Sequence, residues 1–156
     1  MAYQPEVSAA MLGYQFDDLT VGMEARFGKT ITDADIVMFA GISGDTNPVH
    51  LNQDFAEPTM FKGRIAHGML SASLISTVLG TKLPGPGSIY VSQSLGFKAP
   101  VRIGDTVTAV ARVAELLPKR RVRLETFCLV GDKVVIDGEA VMMVPAASGR
   151  PDSRAA

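Results

Sequence analysis

The sequence predicts an α+β domain in which an antiparallel sheet of five or six strands wraps around one long central helix. Three observations predict it. Residues 69–79, Met-Leu-Ser-Ala-Ser-Leu-Ile-Ser-Thr-Val-Leu, are apolar or small on every side, with no charge until Lys82, which is the pattern of a helix enclosed by protein. Four later stretches, 88–97, 106–116, 121–130 and 133–144, show the alternation of half-buried strands, as in Val107, Ala109, Ala111 and Val113 or Val122, Leu124, Thr126, Cys128 and Val130. The connections Gly104-Asp105, Leu117-Pro118-Lys119 and Gly131-Asp132 read as turns, and such short links make consecutive strands antiparallel neighbours. A single layer of this kind leaves one face open, which a second subunit would cover.

The remaining elements follow in chain order. Residues 1–13 have no clear period and are expected to form a loose arm. Glu24 to Ile31 alternates as a strand, despite Gly28. Thr32 is a good helix N-cap with Asp35 three residues on, and Ile36, Val37, Phe39 and Ala40 supply an apolar face before Gly41 and Gly44 end the helix. Asn52 caps a short helix over 53–57, which Pro58 follows, and the central helix opens near Gly68. The stretch 83–88 mimics a glycine-rich phosphate cradle but has two prolines and no following Lys-Ser/Thr pair, so it reads as a turn. The small, polar tail 146–156 is expected to be disordered, leaving one domain over 14–145 with no internal repeat.

Composition narrows the function. A chain of 156 residues, 47% hydrophobic and only 20% charged, folds without staples and has apolar surface to spare, so a homo-oligomer that hides some of it is expected. Fifteen basic and sixteen acidic residues give a net charge of −1, and no basic run marks nucleic-acid or anionic-membrane binding. The expected partner is a small molecule. One cysteine, Cys128, excludes an intramolecular disulfide, makes no zinc cluster and reads as a small apolar strand residue. The start, Met1-Ala2-Tyr3-Gln4-Pro5-Glu6, lacks the features of a signal peptide and no apolar stretch is long enough to span a bilayer, so a cytoplasmic location is expected.

The chemistry gathers between Gly44 and Gly68, where both histidines of the protein lie. Asp45 and His50 would stand ~16 Å apart on an extended chain, so a turn must fold them together. Asp45 and Asn47 can accept from nearby backbone N–H groups, while Pro48 fixes its own φ and holds Asn47 extended. A carboxylate and an imidazole so placed could hold one water and share general acid–base work. Gly68 then opens the central helix, where a free N–H aided by the helix dipole can polarise a carbonyl oxygen that gains negative charge.

Gly44-Asp45-Thr46-Asn47-Pro48-Val49-His50, Phe61 and Ile65-Ala66-His67-Gly68-Met69 resemble the signature of the (R)-specific enoyl-CoA hydratases, members of the MaoC-like dehydratases of the hot-dog fold. The likeness extends through Gly87-Ser88-Ile89-Tyr90, Gln93-Ser94-Leu95, Phe97-Lys98-Ala99-Pro100-Val101 and Gly104-Asp105. It implies a hot-dog homodimer with Asp45 and His50 as catalytic dyad, the Gly68 N–H as oxyanion donor and Ser76 as a hydroxyl in the acyl pocket. It further implies reversible hydration of a trans-2-enoyl-CoA to the (3R)-3-hydroxyacyl-CoA. No metal or redox cofactor is implied, since coenzyme A is part of the substrate.

Plainer readings stand beside these. Gly-Asp-x-Asn-Pro is good turn chemistry anywhere, and Asn47 reads as a brace of that turn at the substrate's edge. His67 reads as a packing histidine, and a buried serine such as Ser76 often bonds its own helix. Leu79, one turn beyond Ser76, could floor an acyl tunnel with Val141 and so favour a short chain. Lys62, Arg64, Lys98 and Arg102 could meet coenzyme A phosphates but read as solvated surface. The alternatives are a dehydratase of acyl-carrier-protein thioesters, a hot-dog thioesterase, and a non-catalytic acyl-CoA-binding subunit.

Overall fold

Every second residue of the strand Arg121–Val130 turns inward: Val122, Leu124, Thr126 and Cys128 are fully buried while their neighbours are not. The computed structural model describes residues 12–145 and extends this alternation into a five-stranded antiparallel sheet. Its strands are β1 (Glu24–Thr30), β2 (Ile89–Phe97), β3 (Thr106–Leu117), β4 (Arg121–Val130) and β5 (Lys133–Met143). They lie in the order β1-β3-β4-β5-β2. The β3-β4 and β4-β5 links are the expected hairpins, whereas β1 and β2 join the outside of this meander and form its two edges.

A 3-10 turn (Phe16–Asp18) and four α-helices complete the described chain: α1 (Asp33–Ser43), α2 (Pro48–Leu51), α3 (Gln53–Ala56) and α4 (Gly68–Thr81). The sheet curls over α4, whose Leu70, Leu74, Ile75, Val78 and Leu79 join Val107, Ala109, Ala111, Val113, Leu124 and Ile136 in one core. Opposite this buried face, Met69, Ser73, Ser76 and Gly80 form an exposed stripe at helical spacing. Within a single chain the helix is thus covered on one side, because one curved layer reaches only part of a helix's circumference.

Thr32 caps α1 as expected: its side chain accepts from the Asp35 N–H at 3.2 Å, and the Asp35 carboxylate accepts the Thr32 N–H at 2.8 Å. Helix α1 runs through Gly41 and ends only at Gly44, whose φ of 78° is the left-handed turn glycine permits. Ile36 and Ala40 face the core while Val37 points outward at 53% exposure, so the apolar face is narrower than its sequence suggests. The expected loose arm lies mostly outside the described residues, but its last residue, Gly13, donates to Pro86 O at 2.9 Å, and Tyr14 N donates to Pro84 O at 2.8 Å. The expected disordered tail, 146–156, lies wholly outside them. No helix among the described residues is long and apolar enough to cross a membrane.

Candidate active site

Asp45 and His50 are brought together by the turn that their spacing requires, and its second half is helical, α2. Asn47 caps α2, its Oδ1 accepting the Val49 N–H at 3.2 Å, and Pro48 takes the first helical position, where a missing N–H costs nothing. The Asp45 carboxylate accepts the Asn47 N–H at 3.2 Å and so folds back toward the start of α2. His50 sits at the end of this turn with only 8% of its surface exposed. Its Nδ1 lies 2.8 Å from the Ile65 carbonyl, which can only accept, so Nδ1 carries the proton and Nε2 keeps its lone pair. The His50 main chain is held too, because Arg64 Nε donates to its carbonyl at 2.7 Å while the same guanidinium pairs with Asp33 at 2.6 Å.

Burial holds the His50 imidazole below its ordinary value of 6.5 and His67 pushes the same way, while the bond to Ile65 O and the Asp45 carboxylate oppose them. The ring therefore stays a free base at neutral pH. His67 lies beside it, the two ring centroids 3.9 Å apart and stacked, and donates from Nε2 to the Asp45 carbonyl at 2.9 Å. Asp45, His50 and His67 each offer a ligand atom within 4.8 Å of the others.

These groups open into a cavity of about 510 Å³, whose wall also includes Gly68, Ser71, Phe97 and Ile136. Gly68 begins α4, where first-turn N–H groups lack partners within the helix. A Cβ at Gly68 would stand 2.6 Å from Phe97 Cε1, so glycine lets that ring close over the helix start. Further in, Ser71 is buried, and its Oγ has no hydrogen-bond partner among the described residues.

The comparisons agree with this architecture. Residues 18–138 match the family model described as MaoC like domain. The chain belongs to the MaoC-like family. It is 60% identical over 134 residues to an (R)-specific enoyl-CoA hydratase of Rhodospirillum rubrum, covering 85% of this chain and 93% of that one. A 3-hydroxybutyryl-CoA dehydratase of Methylorubrum extorquens is 56% identical over 131 residues, with 83% of each chain covered. Among solved structures, the unliganded R-hydratase PhaJ1 of Pseudomonas aeruginosa superposes with a TM-score of 0.82 at 44% identity, over 90% of this chain and 96% of that one.

Within this MaoC-like framework, Asp45, His50 and Gly68 line one cavity. Asn47 is the brace of α2 and lies outside the cavity wall. Ser76 and Leu79 also lie outside it: Ser76 belongs to the exposed stripe of α4 and Leu79 is fully buried in the core. The reason is distance along the helix, since Ser76 follows Gly68 by eight residues, roughly 12 Å of axial rise. The polar group that α4 does present to the cavity is Ser71, about one turn from Gly68. Nothing in the sequence distinguished it from Ser73 or Ser76. The helical turn of α2 did carry a signal, Asn-Pro as N-cap and first position.

Proposed function

We propose that this protein is a cytoplasmic (R)-specific enoyl-CoA hydratase that reversibly adds water to a trans-2-enoyl-CoA to give the (3R)-3-hydroxyacyl-CoA. The observation that carries the reading is one cavity holding the Asp45 carboxylate, the free Nε2 of His50 and the start of α4 at Gly68. A water held between Asp45 and His50 attacks C3 of the enoyl thioester and gives up a proton to Nε2. Electron density moves to the thioester oxygen, where the Gly68 N–H stabilises the enolate; one such donor is typically worth about 3 kcal/mol of the barrier. The dyad then returns a proton to C2 on the same face. Dehydration is the same path reversed.

The substrate's acyl end would lie against Phe97 and Ile136, with Ser71 as a polar contact, and the acyl chain is taken to be short. The site would work in a homodimer. β2 is an unpaired edge in which Ile89, Tyr90 and Val91 are 54%, 40% and 44% exposed, and the small-residue stripe of α4 is open as well. A second copy would cover these surfaces, and Ser76 could contribute to an acyl pocket only in that assembly.

The test is purified protein with crotonyl-CoA, following loss of the conjugated-thioester absorbance, and chiral analysis of the product. Formation of the (R)-alcohol is expected, with Asp45→Asn and His50→Ala each slower by at least about 10³-fold, the scale of losing a reacting acid–base group. Longer enoyl-CoAs should turn over more slowly. Release of coenzyme A thiol would mean a thioesterase instead, and activity confined to acyl-carrier-protein thioesters would favour the carrier-protein dehydratase.

A further inference from the structure

The proposed dyad accounts for one of the protein's two histidines, and the other is the more deeply buried. His67 is 1% exposed, and so deep a polar ring needs partners for its nitrogens. Its contacts run to the reacting groups. Nε2 donates across 22 residues of chain to the backbone carbonyl of Asp45 at 2.9 Å, and one face of the ring stacks on His50 at 3.9 Å. Phe39 packs on His67 as well, its centroid 4.9 Å away and its plane tilted by 52°.

His50 needs such a neighbour. Its single side-chain bond, Nδ1 to Ile65 O, chooses the tautomer but does not by itself fix the plane of the ring. Asp45, by contrast with the buried His50, is exposed, on a segment of helix-free chain between α1 and α2. We propose that His67 is the positioning residue of the site: one imidazole, held by Phe39, fixes the main chain of Asp45 through Nε2–H and the plane of His50 through stacking, and so sets the geometry in which carboxylate and imidazole share a water. Catalysis is sensitive to such placement, because an error of about 1 Å can cost roughly a hundredfold in rate.

The inference rests on the hydration reading above, and its tests separate the two. In the unmodified protein, ¹⁵N-histidine NMR needs to resolve only two rings. One should be the Nδ1–H tautomer, His50, and the other the Nε2–H tautomer, His67, with a slowly exchanging Nε2 proton. Finding His67 as Nδ1–H would remove its bond to Asp45 and overturn the proposal even if crotonyl-CoA is hydrated. Conversely, an inactive wild-type protein would overturn the hydration reading and with it any catalytic role for His67.

Two variants then divide the contacts. His67→Phe keeps a ring face but no donor, and His67→Gln keeps a donor amide but no ring. Each should lower kcat by 10- to 100-fold with KM changed less than threefold and the melting temperature within a few degrees of wild type. Removing the His67 ring should also move the acidic limb of the kcat profile to higher pH, since only Asp45 would then act electrostatically on His50 from within the cluster. A kcat within threefold of wild type in both variants, or a loss confined to KM, would overturn the assignment. If either variant melts early, the tautomer measurement on the native protein decides.

Discussion

At the scale of single residues, His50 makes the most direct statement about pH. Burial, the largest influence on it, lowers its affinity for protons, and His67 adds to that effect. A base in this position is still free where an ordinary imidazole has begun to charge. The acidic limb of kcat/KM should therefore lie below pH 6.5, and a limb at or above that value would contradict the assigned environment. Stability follows with a definite sign. Above the unfolded value of about 6.5 both states leave His50 neutral, whereas below it the unfolded chain binds a proton that the folded site resists, so stability falls as pH drops toward the lower folded value. Equilibrium unfolding at several pH values, compared with His50→Gln, reads this directly. Much of this site was legible from sequence because the turn chemistry of Gly44 to His50 is local. His67 was not, because its meaning lies in contacts with Phe39, His50 and Asp45, none of which periodicity or spacing can announce.

At the scale of elements, the tightest constraint lies where β5 meets β2. Gly138 pairs with Leu95, and a Cβ there would come within 1.9 Å of the Ser94 carbonyl oxygen and 2.8 Å of its carbon. Neither is a flexible side-chain tip that could step aside. Gly138→Ala should therefore splay this strand pair and destabilise the protein by about 1–3 kcal/mol or more, the usual cost of overpacking, visible as a lower midpoint in urea unfolding. An unchanged midpoint would mean that the two strands are not in this register. The alternation of β3 and β4 predicted those strands well, since one face is core and period two has no competitor there. The strand order was less legible, because β1 and β2 reach the two edges through long connections with no local signal for where they pair. Helix α4 was recognised by its uncharged run, but small serines gave no indication of which side the sheet would leave open.

At the scale of the whole molecule, the open surfaces are the edge of β2 and the stripe Met69, Ser73, Ser76 and Gly80. An unpaired strand with apolar side chains is an invitation to association that soluble proteins seldom leave unused. Sedimentation should give twice the 16.5 kDa chain mass. Ser76→Arg tests which surface is responsible. Because Ser76 is exposed within a single chain, the substitution should leave that chain folded while driving sedimentation toward the monomer and lowering turnover. A fully active dimer of Ser76→Arg would place the contact elsewhere.

The sulfur chemistry of this fold also bears on how its reaction can be watched. Cys128 lies inside β4 with its Sγ 3.4 Å from the Ser71 carbonyl, and burial pushes its thiol up to about 12. A thiol of that kind supplies almost no thiolate at neutral pH and offers a reagent no path of approach. With no second cysteine in the chain, the native protein is silent toward aromatic disulfide reagents. Any colour that develops while it is mixed with an acyl-CoA then belongs to free coenzyme A, and hydrolysis can be told from hydration in the same cuvette. The same thiol becomes reactive when the sheet opens, so its labelling rate is a clock for unfolding that needs no engineered probe.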